Sequence, residues 1–207
     1  MGFMKNTAKQ RLVGKDFVNI GVYTILLMVV TFIVSIPFAP FMSVTYPFMA
    51  GICALFSAPI FMLMTYKVAK HGTILLCTTV FGFIYTFMGH FYLLPMAFLA
   101  GILCEVVMWK QGTYRSFWHN VASFSIVSVL MFACATYIPI YIFGPEYYMN
   151  LASSNSEYAL IQIQFAMSPL WASVTVVTAV FLAVVGCLIG RRLLKKHFMK
   201  AGLVSKE

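Results

Sequence analysis

TILLCTTVFGFIYTFMGHFYLLPMAFLAGILCEVVMW, residues 73–109, sets the topology of this chain. It holds no Lys or Arg, is interrupted by Gly89-His90 near its middle, and carries one formal charge, Glu105, near its end. Lys67 and Lys70 precede it, and Lys110 and Arg115 follow it. One crossing of a ~30 Å hydrocarbon core takes about 20 residues as a helix, so the stretch suits two short crossings joined by a tight turn at Gly89-His90. Such a hairpin returns the chain to the face it left. Both basic pairs then lie on one side.

The same alternation extends in both directions. The fourteen Lys and Arg residues fall into four clusters. Lys5, Lys9, Arg11 and Lys15 come first, the two pairs above follow, and Arg191, Arg192, Lys195, Lys196, Lys200 and Lys206 close the chain. Each apolar run between clusters is broken once, by a turn or polar stretch without Lys or Arg. Cytoplasmic loops carry the excess of basic residues, so every cluster is expected inside and every interruption outside.

This predicts an all-α polytopic membrane protein of the bacterial plasma membrane, with six transmembrane helices and both termini cytoplasmic. The expected spans are 17–36, 46–66, 73–88, 92–109, 118–143 and 169–190, between a basic N-terminus (1–16) and a basic tail (191–207). Pro47 is expected to open the second span, where a missing N–H costs nothing, and Pro59 to kink it. Residues 144–167 form the one sizeable external loop, and within it 159–165 reads as either a short interfacial helix or an extended flap.

Composition agrees. Of 207 residues, 62% are hydrophobic and 9% charged, which no soluble domain of this size resembles. The net charge of +9 sits at span ends, not on a continuous face, and no nucleic-acid-binding motif accompanies it. Cys53, Cys77, Cys104, Cys134 and Cys187 all fall in spans, lack CxxC spacing and read as small apolar residues. No HExxH, GxSxG, Walker lysine or pair of intramembrane carboxylates is present. The expectation is no catalysis, no metal site and no cofactor of the protein's own.

A polar group inside a span is a functional candidate because its burial is costly without a partner. Glu105 follows Ala97 and Gly101 at four-residue spacing, a stripe of small residues that lets two helices approach closely. It reads either as the end of a packing stripe, reaching the inner interface or pairing with Lys110 or Arg115, or as a group that responds to a cytoplasmic partner. On the outer side, Tyr46, Met49, His90, Tyr92, Tyr141, Tyr147, Glu157 and Gln162 are the candidate ligand contacts. Tyrosines gather at membrane interfaces without any ligand, yet part of this set facing inward would wall a small-molecule pocket. His90 could hydrogen-bond a ligand there, or meet the iron of a haem carried as cargo.

Lys15-Asp16-Phe17-Val18-Asn19-Ile20-Gly21-Val22-Tyr23, the segment from Leu94-Pro95-Met96 through Ala100-Gly101 to Glu105, and Gly112-Thr113-Tyr114-Arg115 together resemble the substrate-capture (S) components of energy-coupling factor importers. The likeness is to the Trep_Strep or MptD-like branch and extends over nearly the whole chain. It implies a six-helix subunit that captures a vitamin or similar micronutrient outside. The subunit would dock on a membrane coupling subunit carrying two cytoplasmic ATPases, which use the ATP, and topple in the bilayer to release cargo. Many such components dock through an Ala-x-x-x-Ala stripe on the first span. Here that face offers Gly21 with Thr24, and Ala97, Gly101 and Glu105 supply a second candidate surface. The alternatives from other classes are an ion-coupled small carrier and a non-transporting membrane scaffold.

Overall fold

The computed structural model describes residues 11–110, 112–151 and 156–198, and every regular element among them is helical. α1 (Gly14–Ser35) leads through a 3₁₀ segment (Ile36–Phe41) into α2 (Met42–Val68). α3 (Thr73–Phe87) and α4 (Leu93–Val107) follow. α5 (Phe117–Val127) continues without a break through a π-helical segment (Ser128–Cys134) into α6 (Ala135–Phe143). Two short helices, α7 (Pro145–Leu151) and α8 (Ser156–Ala166), precede α9 (Pro169–Leu193).

Among the described residues, three helical runs are long and apolar enough to cross a membrane: Gly14–Val68, Phe117–Phe143 and Pro169–Lys196. Thr73–Phe87 and Leu93–Val107 are shorter apolar helices. The first run covers 55 residues, but α1 packs back against α2, so it is a hairpin. Pro37 and Pro40 sit in the 3₁₀ segment at its bend, where each removes a backbone donor. α2 begins earlier than the sequence predicts. Met42 opens it, and Pro47 is buried inside its second turn, where its carbonyl accepts a hydrogen bond from Thr178 Oγ1 at 3.3 Å. The turn at Gly89-His90 forms as expected, because Gly89 takes φ +92°, a conformation a side chain would strain.

Small residues hold the helices together, since lipid tails leave no hydrophobic advantage to helix–helix contact. α2 and α9 run parallel. A Cβ added to Gly51 would lie 2.7 Å from the Thr178 carbonyl oxygen, and one added to Gly186 would lie 2.6 Å from that of Leu55. α3 and α4 are antiparallel and as close: a Cβ on Gly101 would lie 2.5 Å from Thr78 Oγ1, and one on Gly82 2.7 Å from the Ala97 Cβ. Large apolar side chains such as Val18, Ile25, Phe83, Val106, Val177 and Phe181 point away from the bundle and are exposed.

The two ends of the bundle differ in kind. Every Lys and Arg among the described residues lies at the end formed by the start of α1, the α2–α3 and α4–α5 connections and the end of α9. Polar contacts close this end. Lys70 Nζ meets Asp16 Oδ2 at 2.5 Å, and Asp16 also accepts from the Val13 N–H at 2.9 Å, capping α1. Asn120, fully buried, accepts from Thr65 Oγ1 at 2.5 Å and donates to the carbonyls of Tyr114 and Ser116 at 2.8 Å each. At the opposite end there is a cavity.

Candidate functional site

A cavity of about 240 Å3 opens among α1, α2, α3, α6 and α8 at the end away from the basic residues. Phe32 from α1 and Phe81 and Tyr85 from α3 line one part of it. The Tyr85 ring stacks on Phe81 at 4.7 Å between centroids and on Phe32 at 5.7 Å. Tyr46 from α2, Tyr137 from α6 and Tyr158 from α8 line another, with Tyr46 centroid distances of 6.4 Å to Tyr137 and 6.1 Å to Tyr158. Aromatic rings offer large apolar area in fixed orientations, with a polar tip where the ring is tyrosine.

Met131, Phe132 and Ala133 reach the cavity from the π-helical segment. A π turn inserts an extra residue and shifts the faces of the helix on either side, and such turns recur at functional sites. Pro139, which cannot donate to the carbonyl four residues earlier, lies one turn beyond. Beneath Phe81, Met131 and Phe132 a smaller void is lined by Ser57, whose buried hydroxyl has no hydrogen-bond partner among the described residues.

α8 covers the cavity. Residues 159–165, open between helix and flap in the sequence, are helical. Its own Ala159, Phe165 and Ala166 are buried, and Phe165 stacks on Tyr46 at 5.9 Å. Tyr148 of α7 donates to Gln162 Oε1 at 2.7 Å, tying the two short helices together.

Of the eight candidate ligand contacts, Tyr46, Met49, His90 and Gln162 line the cavity. The other four do not. Tyr92 packs against Phe143 and Tyr148, and Tyr147 is exposed against Phe143. The Tyr141 hydroxyl donates to the Ala166 carbonyl, fastening the end of α8 from outside. Glu157 is exposed on α8, one residue before the inward-facing Tyr158. Tyr85, Tyr158, Thr136 and Thr175 are lining residues that sequence reasoning passed over. Tyr158 was within reach, because it precedes Gln162 by four residues and so shares its helix face. Tyr85 was not, since its neighbours are set by how α1 meets α3.

The docking candidates also divide. Gly21 has open space around its Cβ position, beside the exposed Val18, Val22 and Ile25. Thr24 is fully buried, donating to the Ile20 carbonyl at 2.8 Å and to Cys77 Sγ at 3.3 Å, so it joins α1 to α3 and faces no partner. Ala97 and Gly101 form the α3–α4 seam and are likewise internal. Glu105 Oε1 accepts from the Ile74 N–H at 3.0 Å, and Oε2 from the Gly72 N–H at 2.9 Å and from the Tyr114 hydroxyl. Its carboxylate therefore caps the N-terminus of α3, where unpaired N–H groups and the helix dipole favour negative charge. It is neither an outward docking group nor, by these contacts, the partner of Lys110. Burial, and then the bond to Glu105, push the Tyr114 phenol up, so it remains a donor.

Residues 14–200 match the family described as hypothetical bacterial integral membrane protein (Trep_Strep). No curated protein and no solved structure matches the chain.

Proposed function

Since the chain belongs to the Trep_Strep family of bacterial integral membrane proteins, we propose that it is the substrate-binding membrane subunit of an energy-coupling factor importer. In this reading it captures a small vitamin-like nutrient from outside the cell. The observation that carries it is the aromatic cavity, roofed by α8, at the end of the bundle away from the basic residues. The excess of Lys and Arg assigns their end to the cytoplasm, which directs the cavity outward. α1, α2, α3, α4, the continuous α5–α6 rod and α9 make the six crossings, with both termini cytoplasmic. α3 and α4, at 15 residues each, are shorter than a ~30 Å core requires, and local bilayer thinning and their flanking turns accommodate the difference.

The chain carries no nucleotide-binding lysine loop, so the energy comes from partners: a membrane coupling subunit and two cytoplasmic ATPases. The apolar α1 face around Gly21 is the docking surface this reading favours, because the other small-residue stripe is internal. An ion-coupled carrier is less well supported. It would use a carboxylate in the membrane, and Glu105 is committed to the α3 N-terminus at the basic end. The cavity volume favours a ligand of a few rings over haem, since ordinary ligand pockets span roughly 300–1,000 Å3.

Mass spectrometry of molecules retained by the protein in mild detergent identifies the cargo. Uptake of that labelled molecule is expected to fall to background in cells lacking the coupling subunit and ATPases. Equal uptake in those cells overturns the proposal.

A further inference from the structure

No Asp, Glu, Lys or Arg lines the cavity among the described residues. The one ionisable imidazole, His90, stands at the rim, and burial pushes it below its ordinary value of 6.5, so it is neutral at pH 7. A charged ligand would exchange water for a wall without a counter-charge, and uncompensated burial of an ion costs several kcal/mol even after relaxation. Ring faces and neutral hydrogen-bonding groups are what this wall offers.

Most of those polar groups are already occupied. Thr31 and Ser35 donate to carbonyls in their own helix at 2.8 and 2.7 Å, and Thr175 donates to the Trp171 carbonyl at 2.9 Å while pairing with Tyr137. Gln162 Oε1 accepts from Tyr148 at 2.7 Å, and the Tyr46 and Tyr158 hydroxyls face Thr136 and Gln162. Tyr85 differs. Its ring is clamped between Phe32 and Phe81, and its hydroxyl has no hydrogen-bond partner among the described residues. His90 lies beside it with a centroid separation of 5.8 Å, and the His90 backbone N–H is bonded to the Tyr85 carbonyl at 3.0 Å. A phenol and a neutral imidazole together present two donors and two acceptor sites on adjacent rigid rings.

Resting on the capture reading above, we propose that the ligand is uncharged at neutral pH and contains a planar heteroaromatic ring. Its polar edge is held by Tyr85 and His90, and its faces lie against the cavity tyrosines. Desolvating such a molecule is inexpensive, and an analogue bearing phosphate or carboxylate is rejected because its charge would be left unpaired.

The test uses full-length protein in lipid nanodiscs, with small molecules released by denaturation and identified by mass spectrometry. Wild type is expected to release one neutral heteroaromatic compound. Ala133→Trp, which fills the cavity, is expected to release none. Titration with that compound should give about 5-fold weaker affinity in Tyr85→Phe, which keeps the ring and loses one hydrogen bond. Its phosphorylated or carboxylated derivative should fail to compete. Release of an ionic compound, competition by the charged derivative, or wild-type affinity in Tyr85→Phe overturns this inference and leaves capture intact. Equal release from wild type and Ala133→Trp, or none from either, overturns capture and the ligand class with it.

Discussion

Glu105 shows how a single charged residue in an apolar run can serve the fold. Its carboxylate takes up the orphan N–H groups at the start of α3, 31 and 33 residues away in the chain. Glu105→Ala leaves those buried donors unpaired, and the expected loss is about 1–3 kcal/mol of stability. Thermal unfolding in detergent measures it, with ligand affinity unchanged because the site is at the other end. Asp16 gives a pH dependence. Burial pushes its carboxyl up, but the Lys70 bond and the Val13 N–H outweigh burial and hold it below the ordinary 3.8. A depressed acid stabilises the fold above its unfolded value, and the contribution is lost as pH falls through the folded value. Melting temperature should therefore decline as pH drops below about 3.8, and Asp16→Asn should lack this component. His90→Ala is expected to weaken ligand binding by at least ~1 kcal/mol, read by titration with the released compound.

The small residues of α3 and α4 pack two helices together, whereas Gly21 on α1 is free of such contacts. Gly101 faces Thr78 and Leu75 with no room for a side chain, whereas Gly21 faces open space. Gly101→Leu must force α3 and α4 apart and should cost about 1–3 kcal/mol. Gly21→Leu should stay within about 0.5 kcal/mol of wild type, as exposed substitutions do. Thermal unfolding in nanodiscs distinguishes them, and co-purification with the coupling subunit should fail in Gly21→Leu even though the protein remains folded. The α5–α6 rod and α8 act together on the cavity. The π-helical segment directs Met131, Phe132 and Ala133 inward, and α8 closes the top through Tyr158 and Gln162.

The whole molecule is a bundle with one sealed end and one receptive end. An ion pair, helix caps and the buried Asn120 fasten the basic end, while tyrosines and two short helices enclose a space at the other. Such polarity suits a protein that takes its cargo from one side and meets partners from the other. Cysteine labelling from outside is expected to modify engineered positions in the 144–151 segment and to spare engineered positions at either terminus. Labelling of a terminus from outside would invert the assignment of the cavity.

Helical class, the apolar runs, the turn at Gly89-His90 and the segregation of basic residues were all legible in the sequence. Each depends on local composition: a backbone in lipid must satisfy its own hydrogen bonds, and charged side chains stay near water. Four of the eight candidate ligand contacts line the cavity, because depth along a helix follows from residue number. Direction around the helix was not. Tyr85 faces the cavity and Tyr141 does not, Ala97 and Gly101 face α3 and not a partner, and Pro47 lies within α2 and not at its start. In a chain apolar on every helical face, hydrophobic periodicity no longer marks the inner side. Only the packing of small residues between helices far apart in sequence decides which faces meet each other, which meet lipid and which enclose the cavity.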